Sequence, residues 1–204
     1  MIEYLANGCQ DIYASQLTDW DKVWTHDSVI IGKRTLNGNT VLTLRGSKLA
    51  IDWYRDFKVW PVKDRYLGYC HAGFVEDMWQ VFQEIIPYLA GKCYITGHSL
   101  GGARACILAG YLITHGYKIE RLSVFGCPRP GFSKLIKLLR ENIENLDSYR
   151  NCDDEVPEVP QLLGLYKEPL NPPTPLNACG SGDGPLKDHH IALYIAGLKK
   201  AGIT

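Results

Sequence analysis

The chain has 204 residues, 46% hydrophobic and 22% charged, and its 22 basic and 22 acidic side chains cancel to a formal net charge of zero. This length and apolar content suit one domain spanning 1–204, with a core large enough to need no staples. The charge balance speaks against a nucleic acid or other polyanion as partner, and no stretch approaches the roughly 18 apolar residues of a membrane span.

In chain order, Ser28–Gly32 and Thr40–Leu44 flank the turn residues Asn37, Gly38 and Asn39, which predicts a β-hairpin or two neighbouring strands. From Phe74 to Leu89 the residues Phe74, Met78, Val81, Phe82, Ile85 and Leu89 share one helical face, with Gly91 as a stop signal. Cys93–Thr96 reads as a strand and Ala103–His115 as a helix closed by Gly116. Arg121–Phe125 follows as a buried strand, Phe132–Ile143 as a helix, and Ser148–Arg150 as a short strand. Six prolines interrupt Pro157–Pro175, predicting a loop, and His189–Ala201 reads as a terminal helix. Strands alternating with helices predict an α/β fold with a mostly parallel central sheet and helices on both faces. Its site then belongs at the carboxyl ends of the strands.

The segment Tyr94-Ile95-Thr96-Gly97-His98-Ser99-Leu100-Gly101-Gly102 sets a Gly-x-Ser-x-Gly turn between the predicted strand and the small-residue helix. In that context the turn strains the serine backbone, lifts the Ser99 hydroxyl out of the sheet and aims the Leu100 amide at the same spot. Glycine on either side avoids a clash with the neighbouring strand and helix. A serine hydroxyl needs a base, and a base needs an orienting carboxylate. The downstream histidines are His115, His189 and His190, and His115 ends the helix that starts at Ser99, which carries it away from the site. The base is therefore His189 or His190. Asp153 and Asp154 follow a predicted strand, where a triad acid belongs, among other carboxylates that include Asp147, Glu155, Glu158, Asp183 and Asp188.

Five further segments carry a resemblance. They are Val41-Leu42-Thr43-Leu44-Arg45-Gly46-Ser47, Asp52-Trp53-Tyr54-Arg55-Asp56-Phe57, Cys70-His71-Ala72-Gly73-Phe74, Ser123 to Gly131, and Asn151 to Pro160. In order and in motif they resemble the class 3 (fungal-type) lipase family of α/β-hydrolases, which includes triacylglycerol lipases, feruloyl esterases and phospholipases A1. The resemblance implies the α/β-hydrolase fold and a serine carboxyl-ester hydrolase, most directly a lipase acting on acylglycerol-type esters. Phospholipase A1 and short-chain or feruloyl-type esterase are the alternatives, and a non-catalytic binding scaffold would be expected to lack a triad or oxyanion member. It implies Asp154 as the acid, two residues before Val156-Pro157, and His189 as the base, five residues before Tyr194. Ser47 becomes the second oxyanion donor beside Leu100, His71 a buried structural histidine, and His98 a residue packed beside the site. No metal and no organic cofactor is implied.

Read as a helix, Lys48–Phe57 places Leu49, Trp53, Tyr54 and Phe57 on one face. Lid-bearing members of the family carry their lid at this place, so these residues are candidates for a lid and for substrate binding at a transient lipid interface. A fixed amphipathic helix is the alternative. Tyr54, Trp60 and Tyr66 are candidates for an acyl or aryl pocket.

The first residues, Met1 to Asn7, lack the basic region and long apolar run of a secretory leader. The seven cysteines, Cys9, Cys70, Cys93, Cys106, Cys127, Cys152 and Cys179, include no Cys-x-x-Cys pair and show no obvious disulfide pattern. Several lie in apolar segments as small buried hydrophobes. The expectation is therefore a protein of the reducing cytoplasm, with release by lysis or a non-classical route left open.

Overall fold

The computed structural model describes residues 1–14, 16–47, 60–170, 172–181, 183–184 and 186–204. The candidate lid residues Leu49, Trp53, Tyr54 and Phe57 lie outside these described residues.

Helix α1 (Ile2–Asp11) opens the chain and buries Leu5, Ala6 and Cys9. Strand β1 (Lys22–Thr25) pairs antiparallel with β2 (Ile30–Leu36), which pairs antiparallel with β3 (Asn39–Leu44). The predicted hairpin is thus present, its turn made by Asn37 and Gly38 at φ 50° and 77°. A separate two-stranded ribbon, β4 (Pro61–Asp64) and β5 (Gly68–His71), leads into the short helix α2 (Ala72–Val75) and then α3 (Met78–Ile85). The single helix expected over Phe74–Leu89 is therefore broken. Glu76 is extended and Asp77 turns left-handed at φ 60°, a conformation that aspartate tolerates better than most residues. Pro87 then sits in a 3-10 turn that ends the run before Gly91.

Parallel strands β6 (Cys93–His98), β7 (Ile119–Phe125), β8 (Asn145–Asn151) and β9 (Thr174–Leu176) extend the sheet from β3, giving the order β1-β2-β3-β6-β7-β8-β9. Strand β9 lies inside the segment expected to be a proline-rich loop. It holds Pro175 because it is an edge strand, where a missing N–H costs no ladder bond. Helices α4 (Leu100–Thr114) and α5 (Ser133–Asn142) join α3 over one face of the sheet, and α6 (Ile191–Lys200) pairs with α1 over the other.

The two faces hold separate apolar clusters, one including Leu42, Ile95, Leu108 and Leu139, the other including Ala6, Phe125, Tyr149 and Tyr194. Helix α4 is buried from Leu100 to Leu112, which explains why its sequence is apolar on every side. Arg104, the buried cation in this helix, donates to the Ser28 carbonyl, the Ser28 hydroxyl and the Gly73 carbonyl. No helix among the described residues is long and apolar enough to cross a membrane.

Candidate active site

The loops after β3, β6, β8 and β9 meet at the carboxyl end of the parallel sheet, and each carries one chemical group. After β6 the chain turns at Ser99, which holds φ 59° and ψ −134°, a strained conformation for a residue with a Cβ. The Ser99 N–H donates to the Phe125 carbonyl at 3.0 Å, so β7 braces the turn. A Cβ on Gly97 would lie 2.2 Å from the Gly101 carbonyl oxygen, and one on Gly101 would lie 2.1 Å from the Leu44 carbonyl oxygen. The two glycines therefore answer to different walls, the first to the turn's own crossing and the second to β3. Leu100 opens α4, and the N–H at the first position of a helix has no partner within it.

Asp154 follows β8 and is fully buried, and its Oδ2 accepts from Nδ1 of His189 at 2.7 Å. The Tyr194 hydroxyl donates to the same Oδ2, and the Val156 N–H donates to Oδ1 at 2.9 Å. Burial by itself would raise the pKa of Asp154. The charge and hydrogen bond of His189, with Tyr194 and Val156, outweigh burial and hold the carboxyl below its ordinary value. Burial first, then the neighbouring Asp154, pushes the Tyr194 phenol well above its usual value, so it stays a neutral donor. Asp153 and His190, the neighbours that sequence order alone left open, are both exposed. Asp188 accepts instead from the backbone N–H groups of Gly180 and Asp153.

Ser99 and His189 line one cavity of about 460 Å³ together with Ser47, which follows β3. Gln10, Tyr13 and His190 give its walls polar character, and Leu186 and Ile191 supply apolar surface. The Ser99 Oγ and His189 Nε2 are both buried, and neither has a hydrogen-bond partner among the described residues. Catalytic hydrogen bonds are often unformed until a substrate draws the groups together. His71 stacks on Phe74 at 4.2 Å between ring centres and lies outside this cavity. Tyr66 does not line this cavity: it stacks on Trp79 at 5.1 Å in an aromatic group with Tyr111 and His115. Trp60 is 72% exposed.

The loops bearing Asp154 and His189 are tied together. Asn151 donates its side-chain amide to the carbonyls of Ala178 and Asp188, and its Oδ1 accepts from the Ala178 N–H. A disulfide joins Cys152 to Cys179 across the same junction, whereas Cys9, Cys70, Cys93, Cys106 and Cys127 are free and buried. Cys152, Cys179 and Asp188 also form the one group of potential metal donors among the described residues, but the two sulfurs are spent on each other. Two contacts were not anticipated from the sequence, although one had a signal there. The Tyr194 hydroxyl on Asp154 was marked by the five-residue spacing from His189, whereas Tyr13, from the turn after α1, had no motif around it.

The profile of the lipase (class 3) family matches residues 41–164. The chain belongs to that family. It is 28% identical over 137 residues to secreted mono- and diacylglycerol lipase 1 of Fusarium solani, a match covering 62% of this chain and 41% of that protein. Against secreted mono- and diacylglycerol lipase A of Penicillium cyclopium it is 29% identical over 140 residues, covering 64% of this chain and 46% of that protein. Both matches thus span less than half the length of these relatives. The triacylglyceride lipase of Rhizomucor miehei superposes with a TM-score of 0.68 at 19% identity, covering 86% of this chain and 78% of that one. The architecture is therefore the α/β-hydrolase fold of the class 3 lipases, as the motif order implied. The cytoplasmic expectation is overturned, because the matched relatives are named as secreted proteins. The Cys152–Cys179 disulfide agrees with that correction, since such bonds persist mainly in oxidising compartments.

Proposed function

We propose that this chain is a secreted serine carboxyl-ester hydrolase whose substrates are acylglycerol-type lipid esters. Ser99 attacks the ester carbonyl while His189 Nε2 takes its proton, and His189 then returns that proton to the departing alkoxide. Asp154 holds His189 with Nδ1 protonated and stabilises the imidazolium that forms. The amides of Leu100 and Ser47 stabilise the oxyanion, and each such donor is worth about 3 kcal/mol of barrier. Water attacks the acyl-enzyme by the same route in reverse. The observation that carries this reading is the buried 2.7 Å Asp154–His189 pair opening on the same cavity as the strained Ser99. Support for the substrate class comes from the relatives named as mono- and diacylglycerol lipases.

The test is initial rates on p-nitrophenyl esters of short to long acyl chains, below and above the aggregation threshold, for wild type and Ser99→Ala. Ser99→Ala is expected to lose at least about a thousandfold in kcat, and near-full activity in that variant would sink the assignment. A rate jump on aggregated long-chain ester marks a lipase, and saturation on dissolved short-chain ester marks an esterase.

A further inference from the structure

Tyr13 stands at the turn that closes α1, and α1 is packed against β3, β6 and α6. Its hydroxyl lies 3.0 Å from Nδ1 of His98, the residue before the candidate nucleophile. The other ring nitrogen of His98, Nε2, lies 2.7 Å from the backbone carbonyl oxygen of His189. The Gly46 backbone, next to Ser47, packs against the Tyr13 oxygen. The Gly46 backbone passes so close that a Cβ there would lie 2.2 Å from the Tyr13 oxygen and 2.6 Å from the His98 carbonyl oxygen.

The direction of each bond follows from its ends. A carbonyl only accepts, so His98 Nε2 carries the hydrogen and donates to His189. Nδ1 is then the acceptor of a neutral ring, and the Tyr13 hydroxyl donates to it. We infer that Tyr13 is a positioning residue: through one unidirectional chain, Tyr13 to His98 to His189, it anchors the backbone of the general base, and its oxygen packs against Gly46 beside the oxyanion segment. The chain cannot run in the opposite sense, because it ends on a backbone carbonyl, which only accepts. Burial, then the adjacent His189, lowers the pKa of His98 to about 3, so the ring stays neutral and the chain stays intact near neutral pH. Tyr13 itself is pushed upward by burial and stays a hydroxyl.

The inference rests on the hydrolase reading above for its kinetic consequence, but not for the direction of the hydrogen bonds. Tyr13→Phe keeps the ring and deletes the hydroxyl. On dissolved p-nitrophenyl butyrate its kcat is expected to fall roughly ten- to hundredfold with KM within about twofold, since small displacements of catalytic groups cost rates of that order. A kcat within about twofold of wild type, or a loss no larger than the loss of folded protein by circular dichroism, overturns it. Absence of any Ser99-dependent hydrolysis in the wild type is a different failure, that of the hydrolase reading, and is seen before any Tyr13 variant is assayed. Independently of activity, nitrogen-15 imidazole shifts of wild-type His98 at neutral pH are expected to show the Nε2–H tautomer, and a Nδ1–H tautomer or an imidazolium there overturns the chain.

Discussion

At the scale of single residues, the site stores its chemistry in groups held away from their ordinary states. Ser99 keeps a positive φ of 59°, and Asp154 stays ionised although it is fully buried. His98 has a consequence for stability. Its pKa moves from 6.5 to about 3 on folding, so between those values the unfolded chain binds a proton that the folded chain does not. Stability therefore falls as pH drops below 6.5, by up to ~1.4 kcal/mol per pH unit from this group. Asp154 has the lowered carboxylate pattern, so its contribution is present above 3.8 and is lost only as pH falls through its lowered value. Thermal melts from pH 7 to 5 should show the His98 slope in the wild type and a flatter one in His98→Asn. Equal slopes would mean that His98 is not held neutral. At this scale sequence order leaves Asp153 beside Asp154 and His189 beside His190, candidates one position apart. Burial separates them: Asp154 and His189 are buried, Asp153 and His190 exposed.

At the scale of elements, the legible parts were those with a local cause. The hairpin turn, the strand into Ser99 and the buried α4 followed from turn chemistry, β-branched runs and small residues. The missed parts owe their form to neighbours. The break at Asp77 interrupts a continuous apolar stripe, and β9 contains proline yet pairs with β8 because only one of its edges is used. The turn around Ser99 depends on contact between elements as well. Gly101→Ala would drive a Cβ into the Leu44 carbonyl, and backbone on backbone leaves little room to give. That substitution is expected to cost about 1–3 kcal/mol or more in urea unfolding. A change below about 1 kcal/mol would show that β3 yields, and with it the Gly46–Ser47 segment.

At the scale of the whole molecule, four strand ends spaced across the sheet supply one cavity, and the last two are bolted together. The Cys152–Cys179 bridge closes a sequence separation of 27 residues between the loop of Asp154 and the chain leading to His189. Loop-closure entropy for that span is about 3.5 kcal/mol, so Cys152→Ala with Cys179→Ala should lower unfolding free energy by roughly that amount in urea titrations. Unchanged stability would mean that the Asn151 hydrogen bonds hold the junction without it. Nothing about seven scattered cysteines indicates which two meet, because pairing depends on where the chain returns and not on spacing. The same reason divides what residues alone reveal from what folding adds. The Gly-x-Ser-x-Gly turn, the alternation of strands and helices and the order of motifs are properties of contiguous sequence, so fold class and family could be read directly. The hydroxyls of Tyr194 and Tyr13, the disulfide and the neutral His98 depend on groups 27 to 91 residues apart, brought together by the stacking of β3, β6, β8 and β9 between two helical layers.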